Sequence, residues 1–314
     1  MLYWMIPLSL LAALVFIVLL TSAICFFKIF YSPRRKGSEE LPLPEGDIYK
    51  PYHPQMIRWI NEIRALPRKD VEIRSYDGLL LRGKYYEKDK GLPVEILFHG
   101  YKGSAERDLC GAVYRCFELG HNALIVDQRG AGSSEGHVVT FGVKESRDCL
   151  RWIDLVLNDI DGDVKIIITG LSMGAATVMT AAGYVLPKNV IGVLADCGYT
   201  SPRDIIKKVM KDMGLPEDIL YPFARLGAIL FGGFDPDSAS PIESMKRCHL
   251  PVIFFHGDAD SYVPCYMSKQ NYEACAAEYK RLVITEGVEH GLCFPAAMDL
   301  YFKEARAFFS PLIK

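Results

Sequence analysis

The rhythm of hydrophobic positions changes several times along this chain. Residues 1–27 carry no charged side chain and are rich in Leu, Ile, Val and Phe. About 20 such residues cross a bilayer as a helix, so the stretch predicts a membrane span. Residues 32–54 lose the periodicity and hold five prolines, the composition of a linker lying over a surface. Beyond them, Met56, Trp59, Ile60 and Ile63 recur at helical spacing. Residues 71–76 and 79–86 read as two strands joined by Asp77-Gly78, a hairpin signal.

Short apolar runs follow at residues 94–98, 123–126, 166–169, 190–195, 252–255 and 281–285. Runs of that length predict strands buried on both faces. Residues 108–119, closed by Gly120, and 143–158 have helical spacing; 173–179 opens an Ala-rich helix, and 275–279 reads as the close of another. Steady alternation of strand and helix predicts a mostly parallel central sheet with helices on both faces and right-handed crossovers. Ligands on such sheets bind at the strands' C-terminal ends, where Tyr101, Asp127, Ser172 and Asp196 fall. Residues 199–244 interrupt the alternation with apolar segments broken by Pro216 and Pro222, and read as a small helical cap. Its Met210, Met213, Tyr221, Phe223, Phe231 and Phe234 either line an acyl pocket or bury the cap against the domain. The expected division is an anchor at 1–30, a linker at 31–55 and one α/β domain at 56–314.

Composition narrows the function classes. A net charge of −2 and the absence of a basic stripe exclude a nucleic-acid-binding surface. The nine cysteines form no C-x-x-C pair, which argues against a zinc ribbon or a disulfide framework. Charges flank the apolar segment on one side only, as Lys28, Arg34, Arg35 and Lys36. The positive-inside rule therefore places the domain in the cytoplasm, on a single-pass anchor. A secretory signal peptide is the competing reading, disfavoured by the missing basic n-region and the long apolar run.

Candidate chemistry centres on residues 165–179, KIIITGLSMGAATVM. Gly170-Leu171-Ser172-Met173-Gly174 is a G-x-S-x-G pattern between a strand and a helix, the setting of a nucleophile elbow. The sharp turn strains the serine and demands small residues two places before and after it. The NH of Met173 then lies at a helix N-terminus, which favours developing negative charge. In His99-Gly100-Tyr101-Lys102-Gly103, the NH of Tyr101 is the natural second oxyanion donor, and His99 reads as a loop-shaping residue bonded to backbone. Asp127 reads as a partner of Arg129 within its loop. The sequence 130–136 lacks the spacing of a phosphate loop, so nucleotide binding is rejected. Late in the chain, Asp258 and Asp260 follow one strand and His290 follows the next. The order Ser172, acid, His290 is that of one fold's triad.

HGYKG, DQRGAGSSEG, GLSMG, HGDADSYVP and EHG occur in order across about residues 70–310. Together they resemble the α/β-hydrolases of the esterase and serine-peptidase-like type, and are most similar to membrane-anchored bacterial hydrolases and Bem46-like proteins. The resemblance implies Ser172 as nucleophile, His290 as general base, Asp260 as orienting acid, and Tyr101 and Met173 as oxyanion-hole NH donors. Asp258 is the runner-up acid, since the family places the acid three residues before Val-Pro. It implies no metal and no cofactor. The expected activity is hydrolysis of an acyl ester, lipid-like or small, with a thioesterase, a small-peptide hydrolase or a silent binding scaffold as alternatives.

Overall fold

In a computed structural model of the chain, which describes residues 2–33 and 43–313, the apolar runs assemble into one sheet. Its strands are β1 (Lys69–Arg74), β2 (Leu80–Tyr86), β3 (Val94–Phe98), β4 (Asn122–Val126), β5 (Ile166–Leu171), β6 (Val190–Asp196), β7 (Val252–Gly257) and β8 (Lys280–Thr285). The spatial order is β1-β2-β4-β3-β5-β6-β7-β8. The pairs β1/β2 and β2/β4 are antiparallel and all later pairs are parallel. Helices in chain order are α1 (Leu2–Ile29), α2 (His53–Ala65), α3 (Ala105–Asp108), α4 (Cys110–Leu119), α5 (Glu145–Leu155) and α6 (Met173–Ala181). They continue as α7 (Pro202–Asp212), α8 (Glu217–Gly232), α9 (Pro241–Met245), α10 (Tyr266–Ala274), α11 (Cys293–Ala296) and α12 (Met298–Ile313).

Successive strand residues serve opposite layers, as the pleat requires. Ile96, Phe98, Ile168, Val193 and Phe254 pack with Trp152 of α5 and Val178 of α6. Leu97, Ile167, Leu194, Ile253 and Phe255 pack with Trp59 of α2, Val113 of α4 and Phe308 of α12. Register levels the C-terminal ends of the central strands, since Phe98 lies opposite Gly170 and Leu171 opposite Asp196. All the loops that follow these strands therefore open at one edge of the sheet.

Some elements depart from the expectation. Leu109 divides the helix expected over 108–119 into α3 and α4. α10 ends at Ala274, so residues 275–279 are not helical; Cys275 is already extended. The apolar run at β3 is not wholly apolar: Glu95 is fully buried and forms an ion pair with Arg115 of α4 and a hydrogen bond with His121. A buried carboxylate needs such partners, or it would neutralise.

The N-terminal apolar segment is one helix, and Pro7–Ile29 is long and apolar enough to cross a membrane. Its last turns are packed into the domain. Phe26 and Phe30 are buried against Phe141 and Phe234, and the backbone beyond them pairs with the loop before α5 through Ser32–His137 and Phe30–Val139 hydrogen bonds. The basic cluster Arg34-Arg35-Lys36 and much of the expected linker lie outside the described residues.

Candidate active site

The turn between β5 and α6 dictates where Ser172 stands. Its backbone has φ 56° and ψ −114°, a sparsely populated conformation that persists only where surroundings enforce it. A Cβ at Gly170 would lie 2.1 Å from the backbone of Gly174, and one at Gly174 would lie 2.0 Å from the Phe98 carbonyl oxygen. Glycine is thus obligatory at both positions by close approach. The Ser172 NH donates to the Asp196 carbonyl at 2.8 Å, which ties the turn to β6.

Ser172, His290 and Asp260 are brought together from three loops. His290 Nε2 lies 2.9 Å from Ser172 Oγ, and its Nδ1 lies 2.7 Å from Asp260 Oδ2. A carboxylate only accepts, so Nδ1 carries the proton and Nε2 is left to accept the serine hydroxyl. Asp260 Oδ1 also accepts the NH groups of Tyr262 and Val263. Burial alone would raise the Asp260 pKa, but hydrogen bonds from His256 and His290 outweigh it and hold the carboxyl at about 2. Asp258, the other late acid, accepts the Gly287 NH at 2.6 Å and takes no part in this series.

Tyr101 sits at the turn after β3. The neighbouring Gly100 NH is taken by Asp108 Oδ2, and Lys102 adopts a positive φ of 48°. Among the described residues, neither the Tyr101 nor the Met173 NH is committed to another loop or cap hydrogen bond. His99 is buried, with Nδ1 donating to the Gly100 carbonyl and Nε2 accepting the Gln128 NH, so it shapes the loop. Asp127 differs from the expectation: it accepts the Ala105 and Ser133 NH groups, while Arg129 pairs with Asp77 and Asp148. Those backbone donors were invisible as side-chain patterns.

Three further residues stand at the site, each inside a motif quoted above but given no role there. His256 Nε2 donates to the Val263 carbonyl and lies 3.1 Å from Asp260 Oδ2, a second imidazole on the same carboxylate. Glu289 accepts both the NH and hydroxyl of Ser261, pinning the acid loop to the histidine loop. The Tyr262 ring lies 5.1 Å from the His290 ring. The i,i+4 spacing of His256 and Asp260 was the one available hint. Cys197, Asp260 and His290 place ligand atoms within 4.8 Å of one another. Burial raises the Cys197 thiol well above its usual pKa, and Asp260 and His290 are committed to each other. The set is a poor cation cradle, because a metal needs these donors deprotonated and unshared.

Ser172 and His290 open on a cavity of about 600 Å³. Its apolar wall comes from Met56, Trp59, Leu109 and Phe294, and its rim includes Tyr101, Lys102 and Tyr262. The aromatic and methionine residues of 199–244 do not line it. Met210, Tyr221 and Phe234 are instead buried with Phe26 and Phe30, and Met213 and Phe231 face outward.

Comparison with known proteins places the fold. The family of the alpha/beta hydrolase fold matches residues 94–227, from β3 through the elbow into α8. The chain has the alpha/beta hydrolase fold. The uncharacterized protein YqkD of Bacillus subtilis (strain 168) is 29% identical over 192 residues, 61% of this chain and 63% of that protein. The chain thus spans less than two thirds of that relative's length. It is also 26% identical to the lysophosphatidylserine lipase ABHD12 of Danio rerio over 206 residues, 62% of this chain and 50% of that one. Among solved structures, the Pyrococcus furiosus esterase Pf2001 superposes with a TM-score of 0.69 at 20% identity, covering 91% of this chain and 99% of its own. At that identity the likeness speaks for the fold alone.

Proposed function

We propose that this chain is a membrane-anchored serine hydrolase that cleaves carboxylic esters through Ser172, His290 and Asp260. The observation that carries the reading is the unbroken hydrogen-bonded series from Ser172 Oγ through His290 to Asp260, with the serine strained at an elbow. Asp260 fixes the tautomer in which His290 Nε2 is free to take the Ser172 proton. Ser172 Oγ attacks the ester carbonyl, and the NH groups of Tyr101 and Met173 receive the oxyanion. Collapse expels the alcohol, protonated by His290, and leaves an acyl-enzyme. Water, deprotonated by His290, then releases the acid and restores the serine.

The lipase name of one 26% identical relative supports an ester substrate. The apolar wall of the cavity suits an acyl chain. α1 supplies the anchor, and Lys28 after the apolar run favours a cytoplasmic domain. A fluorophosphonate probe tests the chemistry on the full-length protein. It is expected to label wild type and to leave Ser172→Ala unlabelled, with kcat on short esters falling on the order of 10⁴ to 10⁶-fold. Undiminished labelling of Ser172→Ala would remove Ser172 from the mechanism.

A further inference from the structure

One side of the Ser172 cavity is polar, and the ester chemistry gives that side no task. Leu97, Thr169 and Leu194 line the cavity and lie side by side in the register of β3, β5 and β6. Arg115 of α4, Asp196 at the end of β6 and Tyr301 of α12 belong to the same lining, and all three are buried. Asp196 stands opposite Leu171 of the elbow strand, so it lies beside the nucleophile. Arg115 reaches Glu95, which also accepts from Thr169, so it lies further down the sheet. The Tyr301 hydroxyl joins them, accepting from Arg115 Nη1 at 3.4 Å and donating to Asp196 Oδ2 at 3.1 Å.

Most of this wall is already matched. Glu95 is met by Arg115, by the His121 ring and by the Thr169 hydroxyl. Two atoms of the lining side chains have no hydrogen-bond partner among the described residues: Arg115 Nε, a donor, and Asp196 Oδ1, an acceptor. Buried polar atoms are rarely left so, because each keeps the full cost of losing water. A molecule in the cavity that supplied one donor and one acceptor would remove that cost at both.

Charge decides which group fits. An ammonium would suit Asp196 but face the Arg115 guanidinium. A carboxylate would suit Arg115 but face Asp196 and Glu95. A methyl group would leave both atoms bare. A hydroxyl donates through its hydrogen and accepts at its oxygen, so it serves both without adding a charge.

We propose that the Ser172 cavity takes a hydroxylated acyl chain, whose hydroxyl donates to Asp196 Oδ1 and accepts from Arg115 Nε. This names the substrate class within the esterase reading and rests on that reading. A site whose buried polar groups pair only with the right substrate discriminates strongly against the analogue that lacks the group.

The test gives full-length protein three matched series of para-nitrophenyl esters, from hexanoate to decanoate, with the acyl chain ending in methyl, hydroxyl or ammonium. Mildly alkaline pH keeps the Asp196 carboxyl ionised. At the best length, the hydroxyl ester is expected to exceed the methyl ester in kcat/KM by about tenfold or more, with the ammonium ester below both. In Asp196→Leu the order of hydroxyl and methyl esters is expected to invert, whereas general damage to the fold would lower both and keep their ratio. The wild-type series decides even where that variant fails to fold. Equal kcat/KM for methyl and hydroxyl esters, or a preference for the ammonium ester, overturns the inference and leaves the esterase standing. A hydroxyl preference that survives in Asp196→Leu also overturns it. No turnover of any ester, with no fluorophosphonate labelling, overturns the esterase reading and the inference together.

Discussion

Asp260 illustrates how much a single side chain carries here. Both of its oxygens are taken, one by two backbone NH groups and the other by His290, with His256 alongside. The carboxylate is therefore fixed in place before His290 meets it. Asp260→Asn would present an amide where an acceptor is needed and favour the wrong tautomer of His290, for an expected loss on the order of 10⁴ in kcat. Asp258→Asn removes only an acceptor for the Gly287 NH and should leave kcat within a small factor of wild type. Steady-state kinetics on a short ester decide the matter, and equal losses would mean that the wrong aspartate has been given the role. The choice rested in the sequence on a spacing to Val-Pro; in the structure the two carboxylates point to different partners.

At the scale of elements, a polar layer runs through the apolar sandwich where β3, β6, α4 and α12 meet. Glu95 on β3 and Arg115 on α4 neutralise each other, and Tyr301 on α12 donates to Asp196 Oδ2 at 3.1 Å. Asp196 Oδ1 has no protein partner among the described residues. Burial raises the Asp196 carboxyl from its ordinary 3.8 to about 6. Between those values the native state holds a proton that the unfolded chain has released. Stability from this group therefore falls as pH rises from about 4 to 6, by about 3 kcal/mol in total, and stays level above that. Asp196→Asn cannot titrate, so its Tm advantage over wild type should grow across this window and then plateau. Thermal unfolding from pH 4 to 8 measures it, and a constant difference would place Asp196 ionised throughout. None of this layer was legible beforehand. Glu95 was a single charge inside an apolar run, and its partners Arg115, His121 and Thr169 come from 20 to 74 positions further along.

For the whole molecule, the junction between α1 and the domain matters most. An apolar span followed by a proline-rich linker suggests a part that can be cut away without cost to the chemistry. Instead Phe26 and Phe30 fill a cluster with Phe141, Tyr221 and Phe234, and the carbonyl of Ile29 receives the Tyr101 hydroxyl beside the oxyanion loop. Removing residues 2–31 would empty two buried aromatic positions, each typically worth about 3 to 5 kcal/mol. That truncation is expected to lower Tm and depress turnover of a soluble short ester. Removing residues 2–17 spares the docked turns and should keep that turnover while releasing the protein from membranes. The two truncations, compared by Tm, short-ester kinetics and membrane flotation, distinguish a docked anchor from a tethered one. Equal behaviour of both on the soluble ester would count against the docking.

What the sequence determined by itself was local or repetitive: the strand–helix alternation that makes a parallel sheet, the hairpin at Asp77-Gly78, and the small residues flanking Ser172. Each follows from constraints that act within a few residues, such as φ freedom, close approach at a turn and the pleat of a strand. The tertiary structure alone decided which distant groups meet. It set Arg129 against Asp77 and Asp148 instead of Asp127, brought His256 to Asp260, drew the cavity wall from α2 and the α11 region instead of residues 199–244, and turned those residues toward α1. The physical reason is the same throughout. Burial makes a charge seek any partner the packing brings near and an apolar side chain seek any free face, and neither choice is set by distance along the chain.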